Sequence, residues 1–460
     1  MASININYKN FVAGESSADY IPDKGFSPSS TNINLTKQRG RLYFGNSVTD
    51  RTQGVLTGNV IATANDRNYL GNDKYLLDDE GAFYTYLGTT LTKRQTASGT
   101  FQLGTSDLVQ FNLSTYATAT DTIYQLTGSD LATLASWWSG LNSNFRHPME
   151  QVEDELFIAD KNLIYFVNNA GTTGTAFTLP TETNITTLRK HQDGRTLLAF
   201  CGTTGDLNGG RTRSGEGLVF YCNPRTRLWD REVKIESQVE GSRNVGGIIY
   251  LTYGSNLGYF NGDGITFLKR LKTSTTTYSH CISNWDDTLL VRDGFGILAF
   301  TDFGQGRFWY EMYNNLETIA SRHLNFVSYK GNNLILTGHA PSAGEGELNE
   351  IDPASSPQST ETGTFYSNRY DFGQEVKIKR IDVLHDASDA SGGSRFTLYY
   401  RDTENVENLI FDMLGPGVSY GATRKRIQMD ITTDIFQLVL KQLGETTGFK
   451  GIRIYYEAIK

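Results

Sequence analysis

Proline and cysteine are both scarce in this chain, at 9 Pro and 3 Cys among 460 residues. Three cysteines, Cys201, Cys222 and Cys281, cannot make a disulfide framework, and without CxxC spacing they make no zinc site. They read as buried free thiols of a protein assembled in a reducing cytoplasm. The six histidines show no ligand spacing such as HxxxH, so no metal motif is present. No apolar run approaches the roughly 18 residues that span a bilayer. The start, Met1-Ala2-Ser3-Ile4-Asn5, has no charged-then-apolar signal segment, so a soluble protein without membrane insertion is expected. Catalytic signatures are missing too. There is no Gly-x-Ser-x-Gly elbow and no GxxxxGK phosphate loop. Asn261-Gly262-Asp263-Gly264 and Asn72–Gly81 lack the spacing of calcium loops and read as turns. Asp286-Asp287 reads as a pair of solvated turn acids. These absences point to a non-enzyme with no catalytic, metal or cofactor site.

What is abundant is glycine, at 47 residues, and aromatic side chains, with 25 Tyr and 25 Phe. Glycine supplies tight turns, and aromatics suit pleated, half-buried surfaces. The chain is therefore expected to be all-β. Its net charge of −8 argues against a surface devoted to coating nucleic acid, though a local basic loop is compatible with it.

Short apolar runs separated by Gly and Asp recur along the chain. Thr288–Val291, Ile297–Phe300 and Phe308–Tyr310 form one such unit, joined by turns at Asp293-Gly294 and Gly304/Gly306. Similar pairs are Asp73–Leu77 with Ala82–Leu87, Leu108–Phe111 with Thr122–Leu126, and Asp154–Ile158 with Leu163–Val167. Further along come Thr196–Phe200 with Leu218–Tyr221, Ile248–Leu251 with Leu257–Phe260, and Asn333–Thr337 with the weaker Glu347–Ile351. The units repeat at roughly 35–55 residues, the period of propeller blades. A degenerate β-propeller over residues 59–351 follows, with a run of unrelated hairpins in a sandwich as the alternative. No Trp-Asp signature recurs, which excludes a WD40 array.

Residues 1–58 are polar and irregular and read as an extended arm. Residues 352–363, rich in Pro, Ser and Thr, mark a linker. Beyond it, residues 364–460 alternate cleanly between apolar and polar, as in Lys377–Val383 and Ile452–Tyr456. One buried and one wet face is the pattern of an antiparallel, jelly-roll-like β-sandwich. One stretch departs from the β pattern. Leu131, Leu134, Trp137, Trp138 and Leu141 are spaced as on one face of a helix, so Ser129–Asn142 predicts a short amphipathic helix. Trp137 and Trp138 are candidates for a subunit interface, because Trp is enriched at interface hot spots. The Gly-rich loop Gly202–Gly217 presents Arg211 and Arg213, candidate contacts to phosphate or carboxylate in a channel or on a partner. Arg424-Lys425-Arg426 reads as a solvated basic turn.

The segments Arg369-Tyr370-Asp371-Phe372-Gly373, Lys377-Ile378-Lys379-Arg380-Ile381 and Ile452-Arg453-Ile454-Tyr455-Tyr456, with Asp19-Tyr20-Ile21-Pro22 near the start, resemble the tail-hub, nozzle and packaged-DNA-stabilisation proteins of short-tailed bacteriophages. That resemblance implies a structural virion protein of the phage tail, assembled in the host cytoplasm. It implies a homohexameric ring bound to the portal or adaptor and to tail-fibre or spike proteins. The ring would retain packaged DNA and touch it transiently on ejection. Two other classes stay open: a receptor-binding or fibre-attachment protein, and a propeller glycoside hydrolase or lyase.

Overall fold

The computed structural model describes residues 2–7, 30–31, 33–34, 43–44, 47–52, 54–65, 74–102, 106–128, 130–202, 216–271, 281–285, 288–294, 296–302, 307–314, 324–331, 334–342, 345–352, 362–385, 395–402, 406–412, 424–443 and 449–459. It is all-β. Seven four-stranded antiparallel sheets form the blades of a β-propeller. Their first strands are Val60–Asn65, Leu108–Phe111, Met149–Val152, Asn184–Lys190, Gly241–Val245, Ile282–Trp285 and Leu324–Gly331. Each first strand neighbours that of the next blade, and the seventh neighbours the first, so the ring is closed.

The second strand of each blade explains the runs that the sequence shows. Lys74–Asp78, Ser114–Thr118 and Leu197–Gly202 are buried at every position, because a neighbouring blade covers each face. The fourth strand is the opposite. Leu228–Ile235 is exposed over its first five residues, since no blade lies beyond it. Apolar clusters then fill the wedges between blades. Leu76, Tyr84 and Tyr86 of blade 1 pack with Phe326, Leu336 and Leu348 of blade 7, which joins the last blade to the first. Burying side chains of this size contributes about 1.5–3 kcal/mol each.

Closure is made by the start of the chain. Ser47–Asp50 is the outer strand of blade 7, beside Glu345–Asp352. Arg51 N donates to Leu348 O at 2.7 Å, continuing the seam. This strand, SVTD, carries no apolar pattern in sequence, and it is seen by its backbone pairing in the sheet.

The C-terminal sheet is antiparallel and has seven strands. Two of them are long, Thr362–His385 and Arg424–Leu443. Their register breaks between Asp371 and Val376, where Gly373 has φ 66. Such bulges bend a strand and let one sheet turn over its own core, giving a sandwich-like module. Phe365, Phe396, Phe436, Leu438, Leu440 and Ile454 are buried there, and Tyr400 stacks on Phe436 at 5.8 Å. Ala2–Asn7 is an edge strand of this sheet, with Ala2 opposite Tyr456 and Asn7 opposite Gly451.

The expected helix over Ser129–Asn142 is absent. Thr133–Ser139 is the outer strand of blade 2. Helical spacing of the apolar residues arises here from turns and a bulge. Gly128 (φ 88), Leu131 (φ 56) and Gly140 (φ 88) turn the chain, and the register shifts between Ile123 and Tyr124.

Candidate functional site: the central channel

The first strands of the seven blades line a central channel with a cavity of about 80 Å³. Its wall is polar and carries charges of both signs, among them Lys74, Glu150, Arg189 and Arg243. Between blades 1 and 7, the buried Lys74 ammonium donates to Ser328 Oγ at 2.7 Å and to Asn65 Oδ1. Thr63 Oγ1 donates to the same serine oxygen at 3.0 Å. On the other side, Arg189 links three blades. Its Nη1 donates to Glu150 Oε2 of blade 3 at 3.1 Å, while Nε donates to Ser242 O of blade 5 at 2.8 Å. A charge-assisted donor that reaches both neighbours fixes the strand spacing and holds the Glu150 carboxylate in place.

Asp107 lines the same channel but acts on the backbone. Its Oδ1 accepts Leu108 N at 2.8 Å and its Oδ2 accepts Met149 N at 3.0 Å, which ties blade 2 to blade 3. His147 plays a similar part, with Nε2 2.9 Å from Thr120 O and Nδ1 3.1 Å from Ala159 O.

At the end where the first strands begin, Arg146 Nη1 donates to Glu240 O at 2.7 Å. Arg146 precedes blade 3 and Glu240 precedes blade 5. Blade 4 lies between them in the ring, so this guanidinium spans the inside of the ring. Both side chains are buried, and Glu240 Oε2 has no hydrogen-bond partner. Burial pushes the Glu240 carboxyl up to about 7, against the attraction of Arg146. Burial likewise pulls the Arg146 guanidinium below its ordinary value. Cys281, at the start of blade 6, lies 3.6 Å from Thr252 Oγ1, and burial raises its thiol. Cys201 and Cys222 are buried free thiols, also raised by burial, which removes the thiolate needed for reactivity.

Arg211 and Arg213 lie outside the described residues, as do Asp286 and Asp287. Trp137 and Trp138 lie between blades 2 and 3. The bulge opposite Ile123 and Tyr124 lets two successive residues share one face. Tyr116, Trp137, Trp138 and Tyr165 follow one another with centroid separations of 5.3, 5.7 and 4.5 Å. Both tryptophans are half-buried within the chain itself. The turn Asn261–Gly264 is an Asx turn, with Asn261 Oδ1 accepting Asp263 N at 3.0 Å and Gly264 N at 2.8 Å. The channel residues were missed in the sequence because each comes from a different blade. Their one local signal is a charge inside or just before a short inner strand, as at Glu150, Arg189 and Glu240.

The fold is that of a seven-bladed β-propeller, which many families share. No family model and no curated protein sequence matches the chain. Among solved structures it is similar to a streptogramin B lyase, at 8% identity and TM-score 0.49 over 67% of this chain and 97% of that one. It is similar to the virginiamycin B lyase of Staphylococcus aureus, at 10% identity and TM-score 0.48 over 67% and 99%. It is also similar to a GH74 enzyme of Niastella koreensis, at 14% identity and TM-score 0.41 over 76% and 71%.

These similarities correct two expectations. The proteins with a like fold include enzymes, a lyase and a GH74 enzyme, and nothing in the fold is particular to a phage tail hub or nozzle. The tail-hub and virion assignment is therefore withdrawn, together with the portal, fibre and DNA contacts that rested on it. The non-enzyme assignment is withdrawn as well. The physical reason is that the blade pattern reports turn chemistry and packing between blades, and both are common to unrelated propellers. Among the described residues, no helix is long and apolar enough to cross a membrane.

Proposed function

We propose that this protein is a propeller enzyme whose working site is the central channel and whose ligand presents a small anionic group to it. The observation that carries this reading is the set of cations on the channel wall: Lys74, Arg189 and Arg243 face one cavity of about 80 Å³. A buried ammonium beside half-buried guanidiniums binds carboxylate or phosphate oxygens more strongly than the same groups in open water. The cavity admits a group of that size, so a larger ligand enters only by its anionic end. Glu150, held by Arg189 at 3.1 Å, is the carboxylate on the same wall able to accept a proton from the bound group. Transfer of a proton from the position next to the anion to Glu150 is the chemistry this pairing supports.

The test is calorimetric titration of small carboxylates and phosphate monoesters into wild-type protein and R243Q. Saturable one-site binding, weakened about tenfold or more in R243Q, supports the reading. Absence of binding across the panel, or equal binding by both proteins, contradicts it. A ligand found in this way is then offered as substrate to wild-type and E150Q protein. Turnover lost in E150Q with binding kept assigns the base.

A further inference from the structure

Four asparagines of the propeller build the same kind of turn, each accepting the backbone N–H two residues on. Asn142 Oδ1 accepts Asn144 N at 3.2 Å, and Asn168 Oδ1 accepts Ala170 N at 3.0 Å. Asn223 Oδ1 accepts Arg225 N at 3.0 Å, and Asn261 Oδ1 accepts Asp263 N at 3.0 Å. The residue that follows differs in each: Ser143, Asn169, Pro224 and Gly262. Among the described residues, Asn261 alone is an asparagine followed by glycine.

Asn261–Gly264 joins the third strand of blade 5, Asn256–Phe260, to its fourth, Ile265–Arg270. Asn261 is exposed. Its Oδ1 accepts a second N–H, from Gly264 at 2.8 Å, and its Nδ2 donates to Thr266 Oγ1 at 3.1 Å. Two N–H groups on one carbonyl oxygen draw electron density from Cγ and stabilise the charge that oxygen gains under attack. The turn folds this side chain over the Asn261–Gly262 peptide, whose nitrogen closes a five-membered ring on Cγ. Gly262 has φ 99 and no side chain to shield that nitrogen. A Cβ placed there would meet nothing nearer than Tyr221 Oη at 3.9 Å, so the approach is open.

We propose that Asn261 is a self-modification site, at which the folded turn promotes conversion of the asparagine to aspartate and isoaspartate. The Gly262 nitrogen loses its proton to hydroxide and forms a bond to Asn261 Cγ. The Cγ–Nδ2 bond breaks, and Nδ2 takes a proton from water and leaves as ammonia. Water then opens the cyclic imide. Opening at Cγ gives aspartate, and opening at the main-chain carbonyl carbon gives isoaspartate. No oxidant or cofactor enters. At Asn142 and Asn168 the next residue's side chain crowds the attacking nitrogen, and Pro224 has no N–H to lose. The turn also ties two blades. Tyr221 Oη of blade 4 donates to Gly262 O at 3.0 Å, and Arg231 of blade 4 pairs with Asp263. Isoaspartate adds one carbon to the main chain beside these contacts, so the modification loosens that tie. This turn shares no residue with the channel and does not rest on the reading proposed for it.

The experiment incubates the full chain at mildly alkaline pH, folded in buffer and unfolded in guanidinium chloride. Mass spectrometry of the digested protein follows each asparagine, and electron-transfer fragmentation separates aspartate from isoaspartate. A gain of about one dalton is expected on the peptide that holds Asn261. The rate in the folded protein should equal or exceed that in the unfolded chain, with Asn168 and Asn223 unchanged over the same time. G262A should slow the folded reaction about tenfold or more, because a methyl group displaces the attacking nitrogen from its line of approach. A folded rate below the unfolded one, or equal rates in G262A and wild type, overturns the proposal.

Discussion

Arg51 Nη2 lies 2.7 Å from Glu350 Oε1, an ion pair between residues 299 positions apart. The other oxygen of Glu350 accepts the Tyr86 hydroxyl of blade 1 at 2.8 Å. One buried carboxylate thus joins the segment that follows the closing strand, the last blade and the first. E350A should destabilise the propeller by about 3–5 kcal/mol, because it leaves a cation and a buried hydroxyl without their acceptor. R51A should cost less, since Arg51 is partly exposed. Chemical denaturation of the three proteins measures the order; equal stability of all three would remove the seam from the account.

Gly346 sits opposite this seam. A Cβ there would collide with the carbonyl oxygen of Gly58, so only glycine permits the two backbones to meet. G346A is expected to lower stability by about 2–3 kcal/mol through a forced backbone shift. Thermal unfolding reads it directly.

The tryptophan pair gives a third expectation. Trp138 packs 4.5 Å from Tyr165 of blade 3, so W138A removes an interblade contact, and W137A removes the step to Tyr116. Each should cost about 2–3 kcal/mol, below the usual cost of truncating a fully buried aromatic because both are half-buried. A loss of this size in dilute protein assigns the pair to blade packing.

Glu240 predicts a pH dependence. Its folded carboxyl titrates at about 7, against 4.5 for the free group. A raised carboxyl means that the folded state binds the proton more tightly. Its contribution to stability is therefore complete below about 4.5 and is lost as pH rises through about 7. E240Q, which keeps the neutral shape, should match wild type near pH 5 and exceed it at pH 8 by on the order of a few kcal/mol. Urea unfolding of both proteins at the two pH values checks the sign. A smaller gap at pH 8 than at pH 5 would refute it.

The blades were legible because their second strands are buried on both faces and so read as unbroken apolar runs, as at Leu197–Phe200. The closing strand Ser47–Asp50 was not, since its sequence shows no apolar pattern and its partner strand lies far along the chain. Ala2–Asn7 likewise pairs with the distant Gly451–Tyr456. At Thr133–Ser139 a bulge imitated helical spacing, and the local pattern misled. Arg424 and Arg426 looked like a solvated turn, yet both pair with the buried Asp382 across the C-terminal sheet. The channel site was illegible for a related reason. The channel charges are single residues on separate blades, and ring closure alone brings them together.

The central claim is that the channel wall binds an anionic group. Calorimetric titration of small carboxylates and phosphate monoesters into wild-type and R243Q protein tests it most directly. The account predicts saturable binding at one site per chain and a loss of about tenfold or more in affinity for R243Q. No heat of binding with any of these anions, or the same affinity in both proteins, would contradict it.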